Sequence, residues 1–385
     1  MLLALPAKFT AILPPPVKQV LLRARKRFCR LFPPRHLFVF GGRIAYWPGF
    51  GQDLYAQEPV FRATVQECER VLLALGGKSL LAHFEGSSDP QFLADEGRLV
   101  QFVTVIQLAL IELWRAYGVE PGAVMGVSNG EPAAVYAAGG LSLADAIRVS
   151  MSWALISQVE SPVYGTLLLN TDYASAKKLC DDCPVGLFIA VDVAPSRQPL
   201  FCALADMEAA KAYLRAEGAS FHQIKTEPIW PYHTPVLIKH EAVLREPLEG
   251  VRPLPTTKPC YLTTLGGVLP TGSLLPWDYW LRPPQVPVHQ YNTVKAAIDD
   301  RYLVMTPISA YPFSYAGRHA QKQMFGSIRF TAPFTGDEPE LETFAMVREQ
   351  LLNIGLAPSW SSRSGRAASR TFRSALVSVE AAEHA

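Results

Sequence analysis

The sequence predicts an α/β fold built on a parallel sheet, and three stretches predict it. Ala123-Val124-Met125 is a short apolar run that leads into Gly126-Val127-Ser128-Asn129-Gly130, and residues 131–138 can continue as a helix. Leu37-Phe38-Val39-Phe40 has the pattern of a buried strand and stops at Gly41-Gly42. Two strands that each end in a glycine loop sit well side by side, with functional loops at the carboxyl edge of the sheet. Between residues 164 and 226 the texture changes to short strands alternating with short helices, which reads as a small α+β insert.

The serine stretch has the G-x-S-x-G form. A tight strand-to-helix turn there lifts a serine hydroxyl out of the fold beside a helix N-terminus, whose free N–H groups can hold an oxyanion. An ordinary strand–helix turn shows the same local pattern, so the motif needs company before it means catalysis.

Composition narrows the classes. A chain of 385 residues suits one large domain with additions or two modest ones, and with 49% hydrophobic residues it can bury a sizeable core. A net charge of +2 gives no global pull toward nucleic acid. The six cysteines, Cys29, Cys68, Cys180, Cys183, Cys202 and Cys260, are scattered like reduced thiols, which points to a cytoplasmic location. Cys180-x-x-Cys183 has no second pair, so no metal site is expected. No uninterrupted apolar run reads as long enough to span a bilayer.

Residues 1–36 form a basic N-terminal arm, with Lys18, Arg23, Arg25, Lys26, Arg27 and Arg30 following the apolar start and Pro14-Pro15-Pro16. Positive charge after the apolar run is the reverse of a secretory signal. The arm reads either as a solvated helical extension or as an amphipathic contact to a membrane surface or an acidic partner. Residues 53–75 have helical spacing, and 100–117 is apolar almost all round, as a buried helix is. Ser142 is placed to cap the helix that follows. In the insert, strands are expected at 165–170, 186–193, 200–203 and 221–224, with helices at 174–179 and 207–217. That order is the ferredoxin-like one. The large core therefore comprises 37–163 and 227–330, with a strand at 260–264. Residues 331–385 add a helix at 339–354 and a Ser/Arg/Gly-rich tail expected to be mobile.

Several ordered blocks resemble the acyltransferase family of fatty-acid and polyketide synthesis, the malonyl-CoA:acyl carrier protein transacylase type. Phe38-Val39-Phe40, Trp47-Pro48-Gly49-Phe50-Gly51 and Asp53-Leu54-Tyr55 match its opening motif. Gln107-Leu108-Ala109-Leu110, Glu112-Leu113-Trp114 and Gly118-Val119-Glu120-Pro121 match its central helix. The serine block, Pro231-Tyr232-His233-Thr234-Pro235, Lys258-Pro259-Cys260-Tyr261 and Asp278-Tyr279-Trp280 follow in order, so the resemblance covers about residues 37–320. It implies an α/β-hydrolase-like core of the malonyltransferase type, here in a divergent, stand-alone member.

The resemblance also implies roles. Ser128 would be the nucleophile and His233 the general base, since a serine hydroxyl attacks poorly until a base takes its proton. A backbone carbonyl rather than an Asp commonly orients that imidazole in the family. The backbone N–H groups of Asn129 and Arg43 would form the oxyanion hole. His240 and His289 lack such context and read as ordinary polar residues.

The departures bear on substrate. Gly41-Gly42-Arg43-Ile44-Ala45-Tyr46 stands where the family has P-G-Q-G-S-Q, and Val127 replaces the usual His before the serine. One helix further on, Trp153 stands where the family places the arginine that pairs with a malonyl carboxylate. Arg148, five residues earlier in the sequence, is expected to point elsewhere on its helix. A buried carboxylate without a cation is costly, whereas Trp offers an apolar wall and one N–H donor. Trp230 and Tyr232 are bulky at the positions that vary with acyl unit. The expected acyl group is therefore uncharged: acetyl, a longer fatty or polyketide chain, or an aryl acyl group.

The leading reading is an acyltransferase that moves such a group through an acyl-serine between thioester carriers. Acyl-CoA and an acyl carrier protein would be its partners, phosphopantetheine the common handle, with no bound cofactor and no nucleic acid. An acyl-thioester hydrolase of the same family is a second reading, because loss of the arginine suits an editing enzyme equally. A patatin-like lipase shares a glycine loop and G-x-S-x-G but needs a late Asp-Gly-Gly or Asp-Gly-Ala, which neither Gly336-Asp337 nor Asp299-Asp300 supplies. A catalytically degenerate module that binds a carrier protein is the reading from another class.

Overall fold

The computed structural model describes residues 35–43, 46–87, 91–92, 94–309, 329–331 and 334–356. The tail and most of the basic arm expected from the sequence lie outside these residues.

The strands of the larger sheet are β1 (Arg35–Phe40), β2 (Ala123–Gly126), β7 (Cys260–Leu262), β8 (Gly267–Leu269), β9 (Tyr302–Pro307) and β10 (Arg329–Phe330). Their order across the sheet is β10-β9-β1-β2-β7-β8. All neighbours are parallel except β7 and β8, which pair antiparallel, so the sheet is mixed rather than wholly parallel. The expected pairing of the first strand with the serine strand is present, from Leu37 opposite Ala123 to Phe40 opposite Gly126. Both strands are buried on both faces, as strands covered by helices are.

One face of the sheet packs on the helix Glu96–Ala116, whose Phe102, Ile106, Leu110 and Leu113 are fully buried. Asp95 caps it, accepting from the Arg98 N–H at 3.1 Å. This helix is long and apolar enough to cross a membrane by length and composition, contrary to the expectation that no run is. Here the helices Pro59–Ala74 and Leu143–Ala154 pack against it, so it is a core helix. Ser142 caps Leu143–Ala154, accepting from the Asp145 N–H at 3.0 Å.

The periodic stretch 53–75 divides into two helices, Gln52–Gln57 and Pro59–Ala74. Pro59 forces the break: it disfavours helical backbone at Glu58, which is extended (φ −105°, ψ 103°). Glu340, at the start of the helix Glu340–Asn353, accepts from the N–H groups of Gly51 and Leu54. A carboxylate remote in sequence thus anchors the first of these helices to the last.

The insert forms a second sheet from β3 (Tyr164–Leu169), β4 (Leu187–Ile189), β5 (Gln198–Ala203) and β6 (Phe221–Ile229). It is fully antiparallel, with strand order β4-β5-β3-β6. The helices Tyr173–Asp181 and Met207–Ala216 cover it, and Leu167, Leu169, Leu200, Cys202 and Leu214 form its own core. β6 runs past the expected limit at 226, with a register shift where it meets the start of β3. A parallel bridge between Val191 and Val288 ties the insert back to the segment before β9.

Among the glycines of the described residues, Gly130 has the least room for a side chain. A Cβ added there would stand 2.2 Å from the Phe40 carbonyl oxygen. Gly130→Ala is therefore expected to destabilise the fold by roughly 3 kcal/mol or more, since backbone on both sides must yield. Urea denaturation against wild type checks it; a change under about 1 kcal/mol would contradict this packing.

Candidate active site

The serine turn follows from the β1–β2 seam. The Val127 N–H donates to the Phe40 carbonyl at 2.9 Å, carrying the pairing one residue past the end of β2. The chain then turns through the 3-10 segment Ser128–Gly130 into the helix Glu131–Ala137. Gly126 is needed for space, since an added Cβ would stand 2.6 Å from the Glu131 Cα. The left-handed backbone falls on the serine itself, with Ser128 at φ 53°. A non-glycine residue there stores on the order of 1–3 kcal/mol and needs its surroundings to hold it.

His233 has the same property, at φ 66°. Its N–H donates to the Pro284 carbonyl at 2.6 Å. Its Nδ1 lies 2.8 Å from the Pro283 carbonyl oxygen, and its Nε2 lies 2.7 Å from Ser128 Oγ. A carbonyl can only accept, so Nδ1 carries the proton and the Nε2 lone pair faces the serine hydroxyl. The acceptor at Nδ1 is a backbone carbonyl, not a carboxylate. The patatin-like arrangement is excluded, because the group against Ser128 is an imidazole rather than an aspartate.

A buried carboxylate braces the turn. Glu131 is fully buried; one of its oxygens accepts from the Thr263 hydroxyl at 3.0 Å and the Thr264 N–H at 2.8 Å, the other from the Tyr279 hydroxyl at 3.0 Å. Thr263 Oγ in turn accepts from the Ser128 N–H at 3.1 Å. The loop after β7 therefore holds the serine through Glu131. Burial pushes the Glu131 carboxyl up to about 7, against the pull of these hydrogen bonds. The sequence marks Glu131 only as an acid at a helix start; its role depends on Thr263 and Tyr279, far along the chain.

The expected oxyanion residues flank the serine. Asn129 follows it, and its side-chain amide donates to the Val100 carbonyl at 3.0 Å, fixing the turn to the core helix. Arg43 follows Gly42, where an added Cβ would stand 3.7 Å from Ser128 Oγ. Sequence reasoning missed the Arg43 side chain. Its guanidinium pairs with Glu96 at 2.8 Å and lies over the Tyr232 ring, 5.0 Å from the centroid.

The residues expected to line the acyl pocket are dispersed. Trp230 lines a cavity of about 420 Å³ together with Glu96, Gln101, Met151 and Leu155. Tyr232 is buried beneath Arg43. Trp153 is 4% exposed, and its N–H donates to the Trp280 carbonyl at 2.8 Å. The N–H donor expected of Trp153 is therefore already used within the protein, and what remains is an apolar wall. Arg148 does point elsewhere: a Cβ on Gly250 would stand 2.7 Å from its Nη1. His240 is engaged by Glu160 at 2.7 Å.

The family model described as "Acyl transferase domain" matches residues 37–325. A component of the phenolphthiocerol/phthiocerol polyketide synthase of Mycobacterium tuberculosis is 32% identical over 286 residues, which is 72% of this chain and 12% of that protein. The chain thus spans about an eighth of the length of that curated relative. A loading acyltransferase from the avermectin modular polyketide synthase has a similar structure, with TM-score 0.69 and 25% identity over 82% of this chain and 99% of that one. The MCAT from Streptococcus pneumoniae shares the fold, with TM-score 0.69 and 20% identity over 82% of this chain and 100% of that one.

Two outcomes follow from the site. Burial lowers the His233 pKa to about 4, with the Arg43 charge adding to the effect and the Pro283 carbonyl opposing it. The neutral base persists above that value and is lost as pH falls through it. Acylation of Ser128 should therefore stay flat from roughly pH 5.5 to 8 and drop about tenfold per unit below pH 4. Rapid-quench mass measurement across pH checks this, and a midpoint near 6.5 would contradict it. Glu131→Ala leaves Thr263, Thr264 and Tyr279 without their acceptor and should cost about 3 kcal/mol or more in urea denaturation, a loss under about 1 kcal/mol counting against the brace.

Proposed function

Because the chain belongs to the acyl transferase domain family, we propose that it transfers a non-carboxylated acyl group between phosphopantetheine thioesters through an acyl ester on Ser128. The single observation that carries this is the line Ser128 Oγ, His233 Nε2, His233 Nδ1, Pro283 oxygen. Ser128 Oγ attacks the thioester carbonyl while His233 Nε2 takes its proton. The C–S bond breaks, and the leaving thiolate takes that proton from Nε2. The acceptor thiol then repeats the sequence in reverse, giving the new thioester and restoring the serine hydroxyl. The oxyanion of each tetrahedral intermediate would rest on the N–H groups of Asn129 and Arg43, next to the serine.

The donors and acceptors in this reading are acyl-CoA and an acyl carrier protein. The polyketide synthases among the relatives motivate a carrier-protein partner, which stays part of the proposal. The same holds for a cytoplasmic location, for a ferredoxin-like insert, which the strand order β4-β5-β3-β6 supports, and for the division into core and insert.

The charges support a neutral acyl group in this reading. Trp153 offers no cation, and Arg43 is already neutralised by Glu96.

Incubation of the full chain with malonyl, acetyl, hexanoyl and benzoyl thioesters tests the reading by intact mass. Adducts are expected from the uncharged donors, none from malonyl, and none from Ser128→Ala. A malonyl adduct would overturn the charge argument, and no adduct from any donor on folded protein would overturn the acyl-serine. Transfer of the adduct to holo carrier protein faster than its decay in buffer is expected; decay that outpaces transfer would make the enzyme a hydrolase.

A further inference from the structure

The loop that carries Arg43 has little of its own to fix it. Gly41 and Gly42 precede Arg43, and two consecutive glycines leave the direction of the next N–H to outside contacts. Gly42 lies against the serine, where an added Cβ would stand 3.4 Å from the Ser128 Cβ. Any drift of this loop is therefore felt at the serine.

Two side chains of one helix supply the outside contacts. Gln107 Nε2 donates to the Gly41 carbonyl at 2.6 Å, and Arg43 Nη1 donates to Glu96 Oε2 at 2.8 Å. Both belong to Glu96–Ala116 and stand roughly three turns apart, so they share one face of that helix. Glu96 has a second partner. The Tyr232 hydroxyl is turned to its carboxyl, and the Arg43 guanidinium lies over the Tyr232 ring, 5.0 Å from the centroid. Tyr232 directly precedes His233. One carboxylate thus joins three segments: the loop after β1, the start of the core helix and the segment that carries the base.

Stability alone is a poor reason for this arrangement. The Glu96 side chain is 7% exposed and that of Arg43 29%. Taking a carboxylate so far from water costs about what the pairing returns. Burial raises the Glu96 carboxyl above its ordinary range, while Arg43 and Tyr232 draw it down. What the pair fixes is the place of Arg43.

Resting on the acyl-serine reading above, we propose that Glu96 is a positioning residue for that reaction: it holds Arg43 so that the Arg43 N–H faces the oxyanion of the Ser128 adduct, and through Tyr232 it ties that loop to the base. Loss of one oxyanion donor slows such a reaction by about a hundredfold or more, and a misdirected donor costs part of that.

The test measures Ser128 acylation of the full chain by rapid quench and intact mass, with acetyl-CoA and hexanoyl-CoA as donors over a concentration series. Glu96→Ala should lower the saturating rate by about tenfold or more and move the half-saturating concentration by less than about twofold. Glu96→Gln, which keeps an acceptor for Arg43, should recover most of that loss. Arg43→Ala should be slowed as Glu96→Ala is, and the double variant should stay within about twofold of Arg43→Ala, because Glu96 acts through Arg43. Losses that multiply in the double variant, or a loss that appears in half-saturation rather than in rate, would overturn the positioning role. So would an Arg43→Ala chain that acylates at the wild-type rate, an outcome open to measurement even where Glu96→Ala does not fold. No adduct from wild-type protein with either donor would remove the acyl-serine reading, and this proposal with it.

Discussion

The seam between β1 and β2 is the constraint on which the site depends. Parallel pairing brings the ends of both strands out at the same edge of the sheet. The contact of Gly130 with the Phe40 carbonyl then fixes how closely the two following loops can lie. One loop carries Gly42 and Arg43, the other Ser128 and Asn129. A larger residue at 130 would separate them and remove any shared oxyanion site. The need for glycine is therefore one of approach, since Gly130 has an ordinary negative φ of −84°.

The serine and the histidine both carry left-handed backbone, and each is held from outside its own segment. Ser128 is held by Thr263, and through it by Glu131. His233 is held by the Pro283 and Pro284 carbonyls. Two strained residues fixed independently can meet at 2.7 Å only if the loop after β7 and the segment at Pro283 and Pro284 are themselves held in place. The buried Glu131 cluster serves that purpose: it ties Thr263 and Tyr279, either side of β8, to the helix that starts behind the serine.

Sequence reasoning reached what local pattern encodes. The two core strands, the buried helix, the Ser142 cap and the alternation of strands and helices in the insert all have a period or a cap residue to read. β9 was missed because its apolar run, Tyr302-Leu303-Val304-Met305, is short and directly follows a charged turn, Asp299-Asp300-Arg301. The break at Pro59 was missed because helical spacing continues across it. At the site, Ser128 and His233 were legible as motif residues. The Pro283 carbonyl was not, because a backbone acceptor leaves no residue signature. Neither was the Arg43–Glu96 pair, which joins a loop to a helix 53 residues away.

That pair also changes what the substitution at 153 means. Trp153 brings no cation where the resemblance expects an arginine, and a cation stands elsewhere, at Arg43. Had Arg43 been free, the site could have kept a taste for carboxylates from a new direction. Glu96 closes that option at 2.8 Å, and Tyr232 covers the guanidinium face at 5.0 Å. Trp153 donates its N–H to Trp280, so it contributes apolar surface and no polar contact. The proposed neutral acyl group thus rests on three positions together, Trp153, Arg43 and Glu96. Reversing it would take an arginine at 153 and, with it, room for the guanidinium where the Trp153 ring now packs against Trp280.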